Sequence, residues 1–220
     1  MRRLACLAMA FALMGEAVFA QASTKPPTSA ATNAAPDPDE DAWSFSASAN
    51  TYVVPDNRNY VQPTFTADRG WLHLEARYNY EALDTASAWV GYNFSGGRKL
   101  AWEVTPMLGG VFGDTNGIAP GYKGSLGWRK LEFYSEGELV FDTSSSSDSF
   151  FYNWSELTLA PVEWFRFGMV TQRTRVYQTD RDIQRGVLAG FSFKKVSLTA
   201  YVLNPDEDKP AFVLAAGLTF

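Results

Sequence analysis

Residues 72–81 read Leu72-His73-Leu74-Glu75-Ala76-Arg77-Tyr78-Asn79-Tyr80-Glu81. Apolar and polar residues alternate here without a break. In an extended chain successive side chains point to opposite faces. The stretch therefore has an apolar face of Leu72, Leu74, Ala76, Tyr78 and Tyr80, and a polar face of His73, Glu75, Arg77, Asn79 and Glu81. A helix would scatter both sets around its circumference. Period two thus predicts a β-strand with one face against something apolar and the other carrying charge.

The same pattern runs outward from this stretch over residues 43–220. Leu100, Trp102, Val104, Pro106, Leu108, Gly110 and Phe112 oppose Ala101, Glu103, Thr105 and Gly109. Leu131, Phe133, Leu139 and Phe141 oppose Glu132, Tyr134, Glu136 and Glu138, and Phe165, Phe167 and Met169 oppose Arg166, Gly168 and Gln172. Counting in twos predicts about twelve strands, with ten as the alternative, at 43–54, 60–68, 71–81, 85–95, 99–113, 118–129, 130–142, 150–160, 164–175, 183–193, 196–204 and 209–220. Very tight turns, such as Arg129-Lys130 and Lys194-Lys195, alternate with looser ones such as Asp114-Thr115-Asn116-Gly117. That alternation fits an all-β, up-and-down antiparallel meander whose two ends face different surroundings.

Composition narrows the field. The chain has 220 residues and a net charge of −5, which argues against the basic face of a nucleic-acid binder. One His and one Cys leave no zinc site of the Cys/His kind and no disulfide framework; no metal and no cofactor are expected. Met1-Arg2-Arg3, an apolar run from Leu4 to Met14 and the small residues Val18 and Ala20 predict a signal peptide at 1–20. Cys6 falls within it. Residues 21–42, QASTKPPTSAATNAAPDPDEDA, contain almost nothing that can bury and are expected to be a disordered Pro/Ala/acidic tail. The folded domain is then 43–220.

Alternation alone fits a soluble barrel as well as one turned inside out. Strand length and aromatic placement decide between them. The predicted strands are long enough to cross a bilayer at a tilt. Trp71, Tyr92, Phe94, Trp102, Trp128, Phe133, Trp164, Phe165, Phe193 and Phe220 fall near the tight-turn end of the apolar face; Tyr80, Phe112, Tyr122, Phe141 and Phe151 fall near the loop end. Two aromatic girdles suit the two membrane interfaces. The last strand sets Pro210, Phe212, Leu214, Ala216, Leu218 and Phe220 on one face and ends on Phe220.

With leader, meander, girdles and terminal LAAGLTF taken together, the chain resembles a Gram-negative outer-membrane β-barrel of the small, porin-like kind. The resemblance is one of class and carries no motif of a particular family. It implies a transmembrane antiparallel barrel in the bacterial outer membrane. It also implies an assembly signal in Phe212, Leu214, Leu218 and Phe220, read by the outer-membrane assembly machinery. The expected surroundings are outer-membrane lipid and lipopolysaccharide; nothing in the sequence speaks to oligomeric state.

If the apolar face meets lipid, the other face lines the lumen. The candidate lining residues are His73, Glu75, Arg77, Glu103, Lys123, Glu132, Glu136, Glu138, Glu156 and Arg166, joined by Glu81, Arg129 and either Arg185 or Gln184. The expected function is a passive pore or channel for small solutes or ions, with the carboxylates favouring cations. The alternative is a structural or assembly-type barrel whose lumen is plugged by paired charges. The loops are short, so no inward-folded constriction is expected. The turn end is basic (Arg69, Arg98, Lys99, Arg129, Lys130, Lys194, Lys195) and the loop end acidic (Asp56, Asp84, Asp114, Asp206, Asp208 among others). No enzyme is expected, because His73 is the sole candidate base and sits on the polar face with no serine tied to it.

Overall fold

The computed structural model describes residues 42–143, 149–176 and 182–220. The predicted leader and nearly all of the predicted tail lie outside these residues. The strands are β1 (Ser44–Val53), β2 (Tyr60–Arg69), β3 (Leu72–Tyr78), β4 (Thr85–Tyr92, running on after Asn93 as Phe94–Gly96), β5 (Ala101–Gly113), β6 (Gly117–Trp128), β7 (Leu131–Asp142), β8 (Phe150–Val162), β9 (Phe165–Val176), β10 (Asp182–Phe193), β11 (Val196–Leu203) and β12 (Ala211–Thr219). Both parts of β4 face β5 in one register, Gly91 opposite Met107 and Phe94 opposite Val104, so they are a single strand.

Each strand pairs antiparallel with the next, and β12 pairs with β1, from Ser46↔Thr219 to Val53↔Phe212. The result is a closed barrel of 12 strands. The seam is fastened beyond the strand ends, where the Phe45 amide donates to the Phe220 carbonyl at 3.1 Å and the Phe220 amide to the Phe45 carbonyl at 2.9 Å. Closure leaves no unpaired edge, which is the condition for a sheet to stand in hydrocarbon.

The barrel is inside out. Leu74, Val90, Leu108, Phe133, Leu139, Leu157, Met169, Val187, Leu198 and Leu214 are exposed on the outer wall. Glu75, Arg77, Glu136, Glu138, Glu156, Gln62 and Gln172 are buried within. In water each exposed Leu, Val or Phe forgoes roughly 1.5–3 kcal/mol of burial, so a wall built of them is made for lipid. No helix among the described residues is long and apolar enough to cross a membrane; the strands do so instead.

At the turn end the expected girdle is present as stacked rings: Trp43, Phe45 and Phe220 at 6.0 Å spacings, Trp71 on Tyr92 at 5.1 Å, and Trp164 on Phe191 at 6.1 Å. Two assignments to the loop-end girdle do not hold. Tyr122 faces outward from the middle of β6, where its hydroxyl lies 3.1 Å from Ser135 Oγ and accepts from Asn153 Nδ2 at 3.0 Å. Tyr80 is inside the barrel. β3 stops at Tyr78, and Asn79 takes a left-handed backbone (φ 56°), which ends the alternation two residues before the pattern in the sequence does.

Candidate functional site: the lumen

Ten lumen residues were expected, and all lie on the inward face. Buried Glu75, on β3, is the hub of one cluster. Its Oε1 accepts from Arg77 Nε at 2.6 Å, and its Oε2 accepts from His73 Nε2 at 3.0 Å and from the Lys123 ammonium on β6. The other ring nitrogen of His73 lies 2.7 Å from Asp68 Oδ1. Asp68 also accepts from Asn93 Nδ2 at 2.9 Å.

Arg77 carries the cluster across the lumen. Its Nη1 donates to Glu138 Oε2 on β7 at 2.8 Å and lies 3.5 Å from Glu81 Oε1. Its guanidinium is held between two rings, 3.9 Å from the Tyr80 centroid and 4.4 Å from that of Trp89. The indole of Trp89 lies against Gly109, where a Cβ would come within 2.4 Å of the ring. Glycine at 109 is therefore what lets Trp89 lie flat on the inner wall.

Glu136 accepts from the Tyr80 hydroxyl at 2.5 Å and from the Tyr134 hydroxyl at 2.7 Å. A second cluster stands on β8, β9 and β11. Glu156 accepts from Trp154 Nε1 and the Tyr201 hydroxyl, both at 2.9 Å, and from Arg166 Nη1 at 2.9 Å; Arg166 Nη2 also donates to Thr199 Oγ1 at 3.2 Å. Toward the loop end the lining becomes aromatic. Tyr52 stacks on Tyr60 at 4.6 Å, within a buried cluster that also holds Tyr152, Trp154, Tyr201, Leu203 and Val213.

Glu103 and Glu132 are half-buried and lie nearer the turn end. Glu81 is buried, as expected, but it belongs to the segment after β3 and not to a strand. Arg129 is not in the lumen. It is an exposed left-handed turn residue (φ 56°) whose guanidinium lies 5.0 Å from the Trp128 ring. Of the Arg185 and Gln184 pair, Gln184 is the inward one. Arg185 faces out and donates from Nη2 to Asp206 at 2.6 Å, which holds the Asp206 carboxyl below the usual carboxylate range. The acidic loop rim is thus partly neutralised, with Lys209 paired to Asp56 and Arg58 Nη1 3.8 Å from Asp84.

Sequence reasoning set Tyr134 on the face of Glu136 but missed that it, and Tyr201, cap carboxylates, because aromatic residues inside a barrel carry no charge pattern. Their spacing was the available signal. Tyr134 sits two residues from Glu136, on the same face of β7.

No protein-family model matches this chain, and no curated protein does. Solved structures do. The KdgM porin aligns at 11% identity and a TM-score of 0.55, covering 80% of this chain and 99% of that one. KdgM porin in complex with disordered oligogalacturonate aligns at 10% identity, with the same coverage and a TM-score of 0.53. Omp33, an outer-membrane protein of Acinetobacter baumannii, aligns at 11% identity over 81% of this chain and 98% of that one, with a TM-score of 0.48. At these identities the likeness is one of fold. The inside-out closed wall and the charged lumen define a porin-like transmembrane β-barrel of the outer-membrane type.

Proposed function

We propose that this protein is a passive outer-membrane pore for small solutes, with a preference for cations. The observation that carries the proposal is the inner wall itself. A closed wall places Glu75, Glu138 and Glu156 against Arg77, Lys123 and Arg166, and Glu136 against two tyrosine hydroxyls, around one lumen. A low-dielectric wall focuses the field of such groups along the axis. The carboxylate excess disfavours polyanions. A polyanion such as the oligogalacturonate of the KdgM porin complex does not suit this lumen.

One observation favours a second reading, a barrel that does not transport. Trp154 is 0% exposed and Glu81 2%, a packing closer to a filled core than to a wide channel. A bore this close-set restricts passage to ions and small molecules. His73 supports a non-enzymatic role, since both of its ring nitrogens are engaged by carboxylates and neither is left to serve a nucleophile. We further propose that the loop end meets lipopolysaccharide and that the assembly machinery reads Phe212, Leu214, Leu218 and Phe220.

The test is conductance. Purified protein reconstituted in a planar bilayer in potassium chloride is expected to give discrete steps, with a reversal potential in a salt gradient of the sign for cation preference. Heat-modifiable, folded protein that stays silent in the bilayer favours the non-transporting reading.

A further inference from the structure

The wall is continuous from β3 to β4, but at the loop end the short segment that joins them turns inward, contrary to the expectation from loop length. Tyr78 and Asp84 are exposed, yet Tyr80 and Glu81 between them are 3% and 2% exposed. The chain leaves the sheet through a neck. The Asn79 amide donates to the Thr85 carbonyl at 2.8 Å, the Asp84 amide donates to Asn79 Oδ1 at 2.8 Å, and Asn79 Nδ2 donates to the Val61 carbonyl at 2.9 Å. Both residues at the neck are left-handed, Asn79 at φ 56° and Asp84 at φ 53°. Asn and Asp adopt this conformation more readily than other side chains, so the neck is written in the residue types.

What passes through the neck crosses the lumen. The Tyr80 hydroxyl reaches Glu136 on β7, and its ring meets Tyr152 on β8 edge-on at 6.3 Å. In the order of the wall, β7 lies four strands from β3 and β8 lies five, close to the opposite side of the barrel. Glu81 Oε1 accepts from Ser87 Oγ at 2.6 Å, and Leu83 packs on the aromatic cluster. Tyr80 also covers one face of the Arg77 guanidinium. The segment is thus anchored on both sides of the bore.

We infer that Asn79–Asp84 is the constriction of the pore and that Tyr80 is the residue that sets its bore and its selectivity. The inference rests on the pore reading above and goes beyond it by assigning the narrowest point to one side chain. Removing the ring takes away one of the two bridges that reach β7 from the β3 side, the other being Arg77 on Glu138, and widens the bore at the level of the segment. It also frees a Glu136 oxygen from the Tyr80 hydroxyl, so the enlarged bore presents more carboxylate to a passing cation.

Single-channel recording in potassium chloride tests this on the wild type, Tyr80→Ala and the milder Tyr80→Leu, with Tyr78→Ala as the outward-facing control two residues away. Each is first checked for folding by its heat-modifiable gel shift. Tyr80→Ala is expected to raise conductance about threefold or more, with Tyr80→Leu between it and the wild type and Tyr78→Ala unchanged. A silent wild type with a conducting Tyr80→Ala supports the inference equally. A conducting wild type whose folded Tyr80 variants conduct no better overturns the constriction and leaves the pore reading standing. Silence from every folded variant overturns the pore reading itself, and the constriction with it.

Discussion

At the scale of single residues, Arg77 shows how the lumen tolerates charge. Removing a buried ion from water costs several kcal/mol, and the loss is offset only where its hydrogen bonds are met. Arg77 has two carboxylates within hydrogen-bonding reach, Glu75 at 2.6 Å and Glu138 at 2.8 Å, and a ring on each side. Arg77→Met keeps much of the length but takes a charged donor from each carboxylate. It is expected to lose about 3–5 kcal/mol in urea unfolding of the lipid-reconstituted barrel. The exposed Arg185→Ala, measured beside it, should leave the midpoint where it is. An unchanged midpoint for Arg77→Met means the cluster is wet and weak. The inward placement of Arg77 was legible from period two. Its partner was not, because Glu138 lies four strands away, and which inward residues meet across a lumen depends on how the closed wall is staggered.

At the scale of elements, every strand was legible, since membrane outside and lumen inside impose alternation on each one. The exception is the end of β3. The pattern in the sequence runs on through Tyr80 and Glu81, but the left-handed Asn79 takes both residues out of the sheet. Asn79 and Asp84 were the available signal, and the apolar ring of Tyr80 masked it. The last strand has a different role. Phe212, Leu214 and Leu218 are exposed on the outer wall, and Phe220 stacks on Phe45 while its backbone closes the seam. Phe220→Asp is expected to cut the amount of heat-modifiable barrel in outer membranes several-fold, measured by gel shift against total protein. Normal levels of folded barrel in that variant mean that the terminal aromatic residue is not needed for assembly.

At the scale of the whole molecule, the lumen is one electrostatic object. Glu136 and Glu138 share the inner face of β7, the first capped by tyrosines and the second by Arg77. Substituting both with Gln removes the two carboxylates and keeps the shape. In a conducting barrel, Glu136→Gln with Glu138→Gln should move the reversal potential in a salt gradient toward zero, with the gel shift retained. A reversal potential unchanged by the pair places the selectivity elsewhere along the axis.

The seam carries a consequence for how the molecule comes into being. Phe45 and Phe220 open and close the meander, yet they exchange two backbone hydrogen bonds. Every other strand pairing joins neighbours in the chain and can form locally, hairpin by hairpin. This one has the highest contact order the topology permits, and contacts of that kind form slowly. Until the final residues arrive, the growing sheet has two raw edges, each able to pair with a stranger. A chain built this way spends its vulnerable period waiting for its own last strand.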